Sequence, residues 1–120
     1  MNILLVEDEF LLAALLESQE KEWGHNIIKN VATGEQAVRC IKKYKPDLVI
    51  MDILLKGGMD GIEAVNEAQK TSNFEVIYIT GHSDPEIKKR AWATNPIDII
   101  DKPIELKQLK KTIDQIGDPA

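Results

Sequence analysis

The 120-residue sequence is poor in cysteine and in aromatic side chains: it has one cysteine, Cys40, and 5% aromatic residues. A single cysteine excludes an internal disulfide and favours a reducing compartment. The longest uninterrupted apolar run, residues 10–16, is far too short to cross a bilayer. Acidic residues at positions 7–9 interrupt the first apolar stretch, so a signal peptide is not expected.

Positive charge is also in deficit, because 15 Lys and Arg residues face 20 Asp and Glu residues for a net charge of −5. Direct nucleic-acid binding is therefore not expected, since it requires clustered positive charge. Hydrophobic residues at 43% and charged residues at 29% are typical of an ordinary globular domain. The length predicts one domain. We expect a cytoplasmic protein without membrane insertion.

Short apolar runs alternate with longer amphipathic stretches along the chain. The apolar runs are residues 3–6, 48–51, 76–79 and 97–100, the last broken by Asp98, with a weaker one at 27–31. The amphipathic stretches lie at about 10–18, 34–44, 61–70, 85–93 and 104–116. Continuous apolar runs are typical of parallel strands that are covered on both faces. The pattern predicts a doubly wound α/β domain with strand–helix units from end to end.

Turn and capping residues support these boundaries. Residues 33–36 (Thr-Gly-Glu-Gln) have the form of a capping box that opens the second helix. Asp84 and Pro85 offer an N-cap followed by proline in the first turn of the fourth helix. Gly24 is expected to end the first helix.

Polar residues follow the predicted strands at the edge where such sheets place their functional groups. Glu7 and Asp8 follow the first strand, Asp52 the third, Thr80 ends the fourth, and Lys102 follows the fifth. Neighbouring carboxylates repel one another and favour a hard divalent cation, above all Mg²⁺. A hydroxyl and an ammonium opposite them suit the oxygens of a transferred phosphoryl group. The residues thus predict a Mg²⁺-assisted phosphoryl site with a carboxylate nucleophile.

Five matched positions in this order carry a family resemblance: residues 6–9 (Val-Glu-Asp-Glu), Asp52, 60–61 (Asp-Gly), 78–81 (Tyr-Ile-Thr-Gly) and 101–103 (Asp-Lys-Pro). The sequence resembles the receiver domains of two-component response regulators over essentially the whole chain. The resemblance implies one receiver domain at 1–120, with no output domain in the sequence given. It also implies a flavodoxin-like parallel sheet of five strands in the order 2-1-3-4-5 and a candidate cis peptide before Pro103.

The resemblance further implies what the site does. Asp52 would accept a phosphoryl group from a phosphohistidine of a sensor histidine kinase or phosphotransfer protein. Thr80 and Lys102 would contact phosphoryl oxygens and transmit the change. The chain would therefore be a signalling switch and not an enzyme with turnover on an external substrate. Mg²⁺, for which Mn²⁺ can substitute, would be held by Glu7, Asp8, Asp52 and the backbone carbonyl of Leu54.

The partners implied by the resemblance are the kinase, a downstream protein target and, after phosphorylation, a second copy in a dimer. In receivers, the region that corresponds to residues 10–16 docks the helical domain of the kinase. The sequence leaves open whether the chain acts alone or belongs to a longer regulator or sensor kinase.

Three features depart from the usual receiver pattern. Lys56 stands where a proline is usual, and the following loop, with Gly57 and Gly58, is longer; both changes are expected to affect only that loop. Ile99 replaces an aromatic residue that turns inward on activation, and we expect it to stay buried in both states. His82 is interpreted as a surface loop residue and not as a catalyst.

Two alternative functions come from other classes. A phosphatase of the haloacid-dehalogenase type shares the Asp, Thr and Lys set but needs a second Asp as general acid, where this sequence has Leu54. A flavin or mononucleotide binder on the same fold needs a Gly-, Ser- or Thr-rich phosphate loop after the first strand. This sequence has Glu7, Asp8 and Glu9 there, and these would repel phosphate.

Overall fold

A computed structural model describes residues 1–81 and 84–116. Within these ranges strands and helices alternate as predicted: β1 (Asn2–Val6), α1 (Phe10–Glu22), β2 (Asn26–Val31), α2 (Gly34–Tyr44), β3 (Leu48–Asp52), α3 (Gly61–Gln69), β4 (Glu75–Thr80), α4 (Pro85–Trp92), β5 (Asp98–Asp101) and α5 (Leu106–Asp114). The Lys102–Pro103 peptide bond is cis, as the resemblance implied. None of the described helices combines the length and the apolar character needed to cross a membrane.

The strands form one parallel sheet in the order β2-β1-β3-β4-β5, which confirms the predicted flavodoxin-like topology. The chain first winds from β1 to β2 and then continues on the other side of β1 through β3, β4 and β5. The direction of winding therefore reverses between β1 and β3. In such sheets a crevice opens at this reversal, outside the carboxyl ends of the strands.

The hydrophobic core has two halves, one on each face of the sheet. Alternate strand residues point to opposite faces, so Leu4 and Val6 belong to one half while Ile3 and Leu5 belong to the other. Helices α2, α3 and α4 cover the first half, which includes the buried Cys40. Helices α1 and α5 cover the second. Burial on both faces explains why the central strands are almost continuously apolar.

The α1 helix is longer than the sequence pattern indicated, because it continues to Glu22 and does not end near residue 18. The additional turn is polar in sequence, but Gln, Glu and Lys are good helix formers. Gly24, with a φ of 88°, follows the helix as predicted.

Side-chain caps fix where helices begin. Thr33 accepts a hydrogen bond from the Gln36 N–H at 3.2 Å, and Gln36 in turn accepts one from the Ala32 N–H at 3.2 Å, one residue earlier than a standard capping box. A full capping box that was not predicted opens α3, where Asp60 and Glu63 exchange hydrogen bonds of 2.8 and 3.0 Å. The start of α3 is thereby fixed beside the end of β3.

The prediction that Ile99 is buried was wrong in degree, because Ile99 is half-buried. It lies on β5, an edge strand with only β4 beside it. Its β4 neighbour Tyr78 supplies an aromatic ring on the same face of the sheet and is fully buried. The Tyr78 hydroxyl lies 2.8 Å from Thr94 Oγ1, and burial raises the pKa of Tyr78 to about 12. Tyr78 thus connects the sheet to the segment that follows α4.

One buried carboxyl in α1 has no evident structural partner. Glu20 is completely inaccessible to solvent, and neither of its carboxylate oxygens has a hydrogen-bond partner among residues 1–81 and 84–116. Burial raises the pKa of Glu20 from its ordinary 4.5 to about 7, although the Met1 ammonium acts in the opposite direction. The charged form of this side chain therefore destabilises the folded state.

We predict that Glu20→Gln stabilises the protein in a pH-dependent way. Because the folded pKa lies above the unfolded value, the wild type loses stability as the pH rises from about 4.5 to about 7. The variant cannot ionise and does not share this loss. Its gain in free energy of unfolding should be about 2–3 kcal/mol larger at pH 8 than at pH 5.

Urea unfolding of both proteins at the two pH values measures this difference. Glu17→Gln, an exposed position on the same helix, is the control and should show no pH-dependent gain. Equal gains for Glu20→Gln at both pH values would contradict the prediction.

Candidate functional site

A cleft of about 480 Å³ opens at the carboxyl end of the sheet, where the winding reverses. We call it the acidic cleft. Its lining residues come from the end of β3 and from the loops after β1, β3, β4 and β5: Asp8, Glu9, Asp52, Leu54, Leu55, Lys56, Asp60, Gly81 and Lys102. Four of the predicted site residues, Asp8, Asp52, Leu54 and Lys102, thus share one cleft.

Glu7, Asp8 and Asp52 form an acidic cluster in which one carboxylate oxygen of each lies within 4.8 Å of the others. Glu7 and Asp52 are each 3% exposed, whereas Asp8 is half-buried. Glu7 and Asp8 are far from Asp52 in sequence, but they meet it because β1 and β3 are neighbouring strands in which Val6 pairs with Met51, the residue before Asp52. The three carboxylates therefore lie close together, as their positions directly after predicted strands indicated.

Lys102 provides the positive charge opposite this cluster. Its Nζ lies 3.0 Å from Glu7 Oε1, 3.4 Å from Asp52 Oδ2 and 3.7 Å from Glu9 Oε1. Burial alone would lower the pKa of Lys102, but the hydrogen bond to Glu7 and the nearby carboxylate charges outweigh it and raise the pKa. The ammonium therefore stays charged and partly neutralises the cluster.

The negative charge of Glu7 is only partly balanced by the groups around it. Burial and the adjacent Asp52 raise the pKa of Glu7 to about 8, although Lys102 opposes the shift. Its second oxygen, Oε2, is buried without a hydrogen-bond partner among the described residues. Such an oxygen, in a cluster with only oxygen donors, matches what a hard divalent cation requires. The residues present fit Mg²⁺.

Two further predicted residues lie beside the cluster. Thr80 ends β4, is fully buried, and immediately precedes Gly81 in the cleft wall. Its carbonyl oxygen accepts a hydrogen bond from the Lys102 N–H at 2.8 Å, which joins the ends of β4 and β5. The Leu54 N–H donates to Asp52 Oδ1 at 3.1 Å and orients that carboxylate. His82 lies outside the described residues.

The structure adds residues that sequence reasoning did not assign to the site. Lys56 was expected to affect only its loop, but it lines the acidic cleft. Asp60 also lines the cleft, caps α3, and pairs through Oδ2 with Arg90 of α4 at 3.3 Å. The Asp60-Gly61 motif marked this position in the sequence, whereas no sequence signal indicated the direction of the Lys56 side chain.

Gly61 packs so closely against β3 that no side chain fits. A Cβ at this position would collide with the backbone carbonyl oxygen of Asp52 and lie 2.8 Å from Met51 Cγ. The Gly61 N–H donates to the carbonyl oxygen of Ile53 at 2.8 Å. The backbone of Asp52 is therefore held in place by a contact that only glycine permits.

We predict that Gly61→Ala destabilises the protein by about 1–3 kcal/mol, because the backbone at Asp52 must move to admit a methyl group. Chemical denaturation measures the loss. Gly81→Ala is the matched control, since a Cβ there meets nothing within 4 Å among the described residues. A Gly61→Ala variant as stable as the Gly81→Ala variant would contradict the close contact.

The doubly wound parallel sheet defines a flavodoxin-like domain, and its cleft at the reversal point contains an acidic cluster and a lysine. Residues 3–114 match the response regulator receiver domain family. The chain belongs to this family, whose members are regulatory modules of two-component signalling, and the resemblance stated from the motifs is confirmed.

Curated relatives show the same relationship. The chain is 36% identical over 115 residues to the phyllosphere-induced regulator PhyR of Methylorubrum extorquens, and this match covers 95% of this chain and 42% of PhyR. It is 30% identical over 113 residues to the transcriptional regulatory protein PdtaR of Mycobacterium tuberculosis, covering 94% of this chain and 55% of PdtaR. The chain thus spans about half the length of these relatives.

Solved structures agree with the fold. The signal receiver domain of a modulated diguanylate cyclase from Desulfovibrio desulfuricans superposes with a TM-score of 0.88 at 34% identity, covering 95% of this chain and 90% of that one. The receiver domain of the sensor histidine kinase PA1611 from Pseudomonas aeruginosa gives 0.84 at 26% identity, covering 95% and 94%. In that protein a magnesium ion is coordinated in the active-site cleft.

Proposed function

We propose that residues 1–120 form one phosphoacceptor domain in which Asp52 takes a phosphoryl group from a phosphohistidine of a sensor histidine kinase or phosphotransfer protein. The observation that carries this proposal is the position of Asp52, whose carboxylate lies 3.4 Å from the Lys102 Nζ and belongs to the acidic cluster. It lines an open cleft although the residue is only 3% exposed. A nucleophilic carboxylate requires such access together with positive charge close by.

The transfer is a displacement at phosphorus. One Asp52 oxygen forms the new P–O bond while the P–N bond of the phosphohistidine breaks, and its electron pair returns to the imidazole nitrogen. The Leu54 N–H holds Asp52 Oδ1 at 3.1 Å, which orients the nucleophile. Lys102 supplies positive charge to the phosphoryl oxygens. We assign the adjacent Thr80 hydroxyl a hydrogen bond to a phosphoryl oxygen.

The proposed metal site for Mg²⁺ or Mn²⁺ consists of Glu7, Asp8, Asp52 and the backbone carbonyl of Leu54, of which all but Glu7 contact the cation directly. When bound, the cation supplies charge stabilisation to the phosphoryl oxygens. The half-buried Asp8 and the cleft-lining Asp52 are the side chains most open to a cation. Glu7 lies deeper, and we assign it contact through water.

We propose that partners bind on the exposed face of α1 and around Thr80 and Lys102. Phe10 and Leu11 are 82% and 81% exposed at the start of α1, beside the acidic cleft, and Leu15 is 50% exposed. This apolar surface suits the helical domain of a kinase. Thr80 and Lys102 would report phosphorylation to a downstream protein or to a second copy of the chain.

We propose a cytoplasmic switch that does not itself bind nucleic acid, consistent with a net charge of −5. It catalyses its own phosphorylation and slow dephosphorylation but no turnover of an external substrate. Leu54 supports this distinction, because it occupies the position where a haloacid-dehalogenase phosphatase has its general acid. Its side chain lines the cleft and carries no proton to donate.

We predict that wild-type protein incubated with acetyl phosphate and Mg²⁺ gains one phosphoryl group, and that Asp52→Asn gains none. The amide of the variant cannot attack phosphorus. Intact-protein mass spectrometry measures the addition. Asp114→Asn, at the exposed last residue of α5 and outside the cleft lining, is the control and should react like the wild type. The same added mass on Asp52→Asn would contradict the assignment.

We predict that Asp8→Asn weakens Mg²⁺ binding by at least about tenfold, because it removes a direct carboxylate ligand. Calorimetry or NMR titration is the appropriate measurement, since Trp23 and Trp92 do not line the cleft. Glu9→Gln removes a charge from the same cleft without removing a proposed ligand and should have a smaller effect. Equal losses in the two variants would indicate that only net charge matters and would contradict the ligand assignment.

A further inference from the structure

We propose that Lys56 is a second positively charged side chain of the acidic cleft, in addition to Lys102, and that it attracts the phosphodonor and binds its phosphate before transfer. The inference rests on the proposed phosphoacceptor function. Lys56 lies in the loop between β3 and α3 and lines the same cleft as Asp52 and Lys102. Its side chain is exposed, so an incoming anion can reach it.

The loop that carries Lys56 packs against α2 through residues without side chains. Gly57 has a φ of 106°, and a Cβ on it would lie 3.7 Å from Glu35 Oε2. A Cβ on Gly58 would lie 3.6 Å from Glu35 Oε1. The two glycines therefore take the side of the loop that faces α2. Lys56, which precedes them, lies on the side that faces the cleft.

The two lysines of the cleft differ in the ion pairs that they form. Lys102 has carboxylate oxygens of Glu7, Glu9 and Asp52 within 3.7 Å. Lys56 has no carboxylate within ion-pair distance among residues 1–81 and 84–116. The neighbouring cleft carboxylate of Asp60 is paired with Arg90. Lys56 is therefore available to an incoming phosphate without first breaking an ion pair.

The charge of Lys56 has opposite consequences for the two ligands of the cleft. An acidic protein repels an anionic phosphodonor, and a lysine at the entrance reduces that repulsion. The same lysine repels a divalent cation. An exposed unit charge a few ångströms away changes such equilibria and rates by about fivefold in water, and salt screens the effect. Phosphorylation rate and Mg²⁺ affinity should therefore change in opposite directions when Lys56 is neutralised.

The test compares Lys56→Gln, Lys56→Glu and Lys56→Arg with the wild type, using acetyl phosphate as donor at fixed, saturating Mg²⁺ and low ionic strength. We expect Lys56→Gln to be phosphorylated about fivefold more slowly, Lys56→Glu more slowly still, and Lys56→Arg at close to the wild-type rate. High salt should remove most of the difference. Phosphoramidate carries less negative charge at neutral pH and should show a smaller effect.

Calorimetry with Mg²⁺ alone separates a charge effect from damage to the loop. Lys56→Gln should bind Mg²⁺ more tightly than the wild type, whereas a distorted loop would weaken both binding and phosphorylation. Lys42→Gln, an exposed lysine in the last turn of α2, is the matched control and should change neither quantity.

Slower phosphorylation combined with tighter Mg²⁺ binding supports the proposal. Unchanged phosphorylation of Lys56→Gln, or a parallel loss of both properties, would overturn it while the wild type remains reactive. A wild type that takes up no phosphoryl group would instead contradict the proposed function, so the two failures are distinguishable.

Discussion

The contact between the Lys102 ammonium and the acidic cluster is the interaction on which the site depends. Two members of the cluster, Glu7 and Asp52, are almost inaccessible to solvent, and mutual repulsion would destabilise them if both were charged and unpaired. Lys102 approaches both, at 3.0 and 3.4 Å. One ammonium does not balance the whole cluster, and the pKa of Glu7 is raised by burial and by Asp52 despite the ion pair with Lys102. The remaining negative charge leaves the site suited to a divalent cation and, once that charge is offset, to a phosphoryl group.

The scaffold holds these charges together through backbone geometry. Parallel strands β1 and β3 pair in register up to the residues that directly precede Glu7 and Asp52, which places these two side by side. The Lys102 N–H donates a hydrogen bond to the Thr80 carbonyl oxygen, so the backbone of Lys102 is fixed relative to β4. Gly61 permits α3 to approach the backbone of Asp52 directly. Because apolar cores cover both faces of the sheet, these relationships do not depend on the flexible positions of surface side chains.

The sequence predicted most of the fold, since buried parallel strands have to be apolar and polar residues such as Asp52 and Lys102 follow them directly. It did not predict that Glu20, in the polar last turns of α1, would be completely buried, because helical spacing gives the direction of a side chain but not what covers it. The half-burial of Ile99 follows from its position on the edge strand β5; the predicted sheet order implied that position, but the apolar run at 97–100 alone did not. The place of Lys56 in the cleft depends on the path of a loop, and composition contains no information about that path.

A structure of the protein with Mg²⁺ and beryllofluoride, a phosphoryl mimic, tests the central claim most directly. The account predicts that the beryllium is bonded to a carboxylate oxygen of Asp52, that the metal contacts Asp8 and Asp52, and that the Nζ of Lys102 lies beside the fluorides. Beryllofluoride bound to another carboxylate, or absent from a cleft that holds Mg²⁺ under saturating conditions, would contradict it.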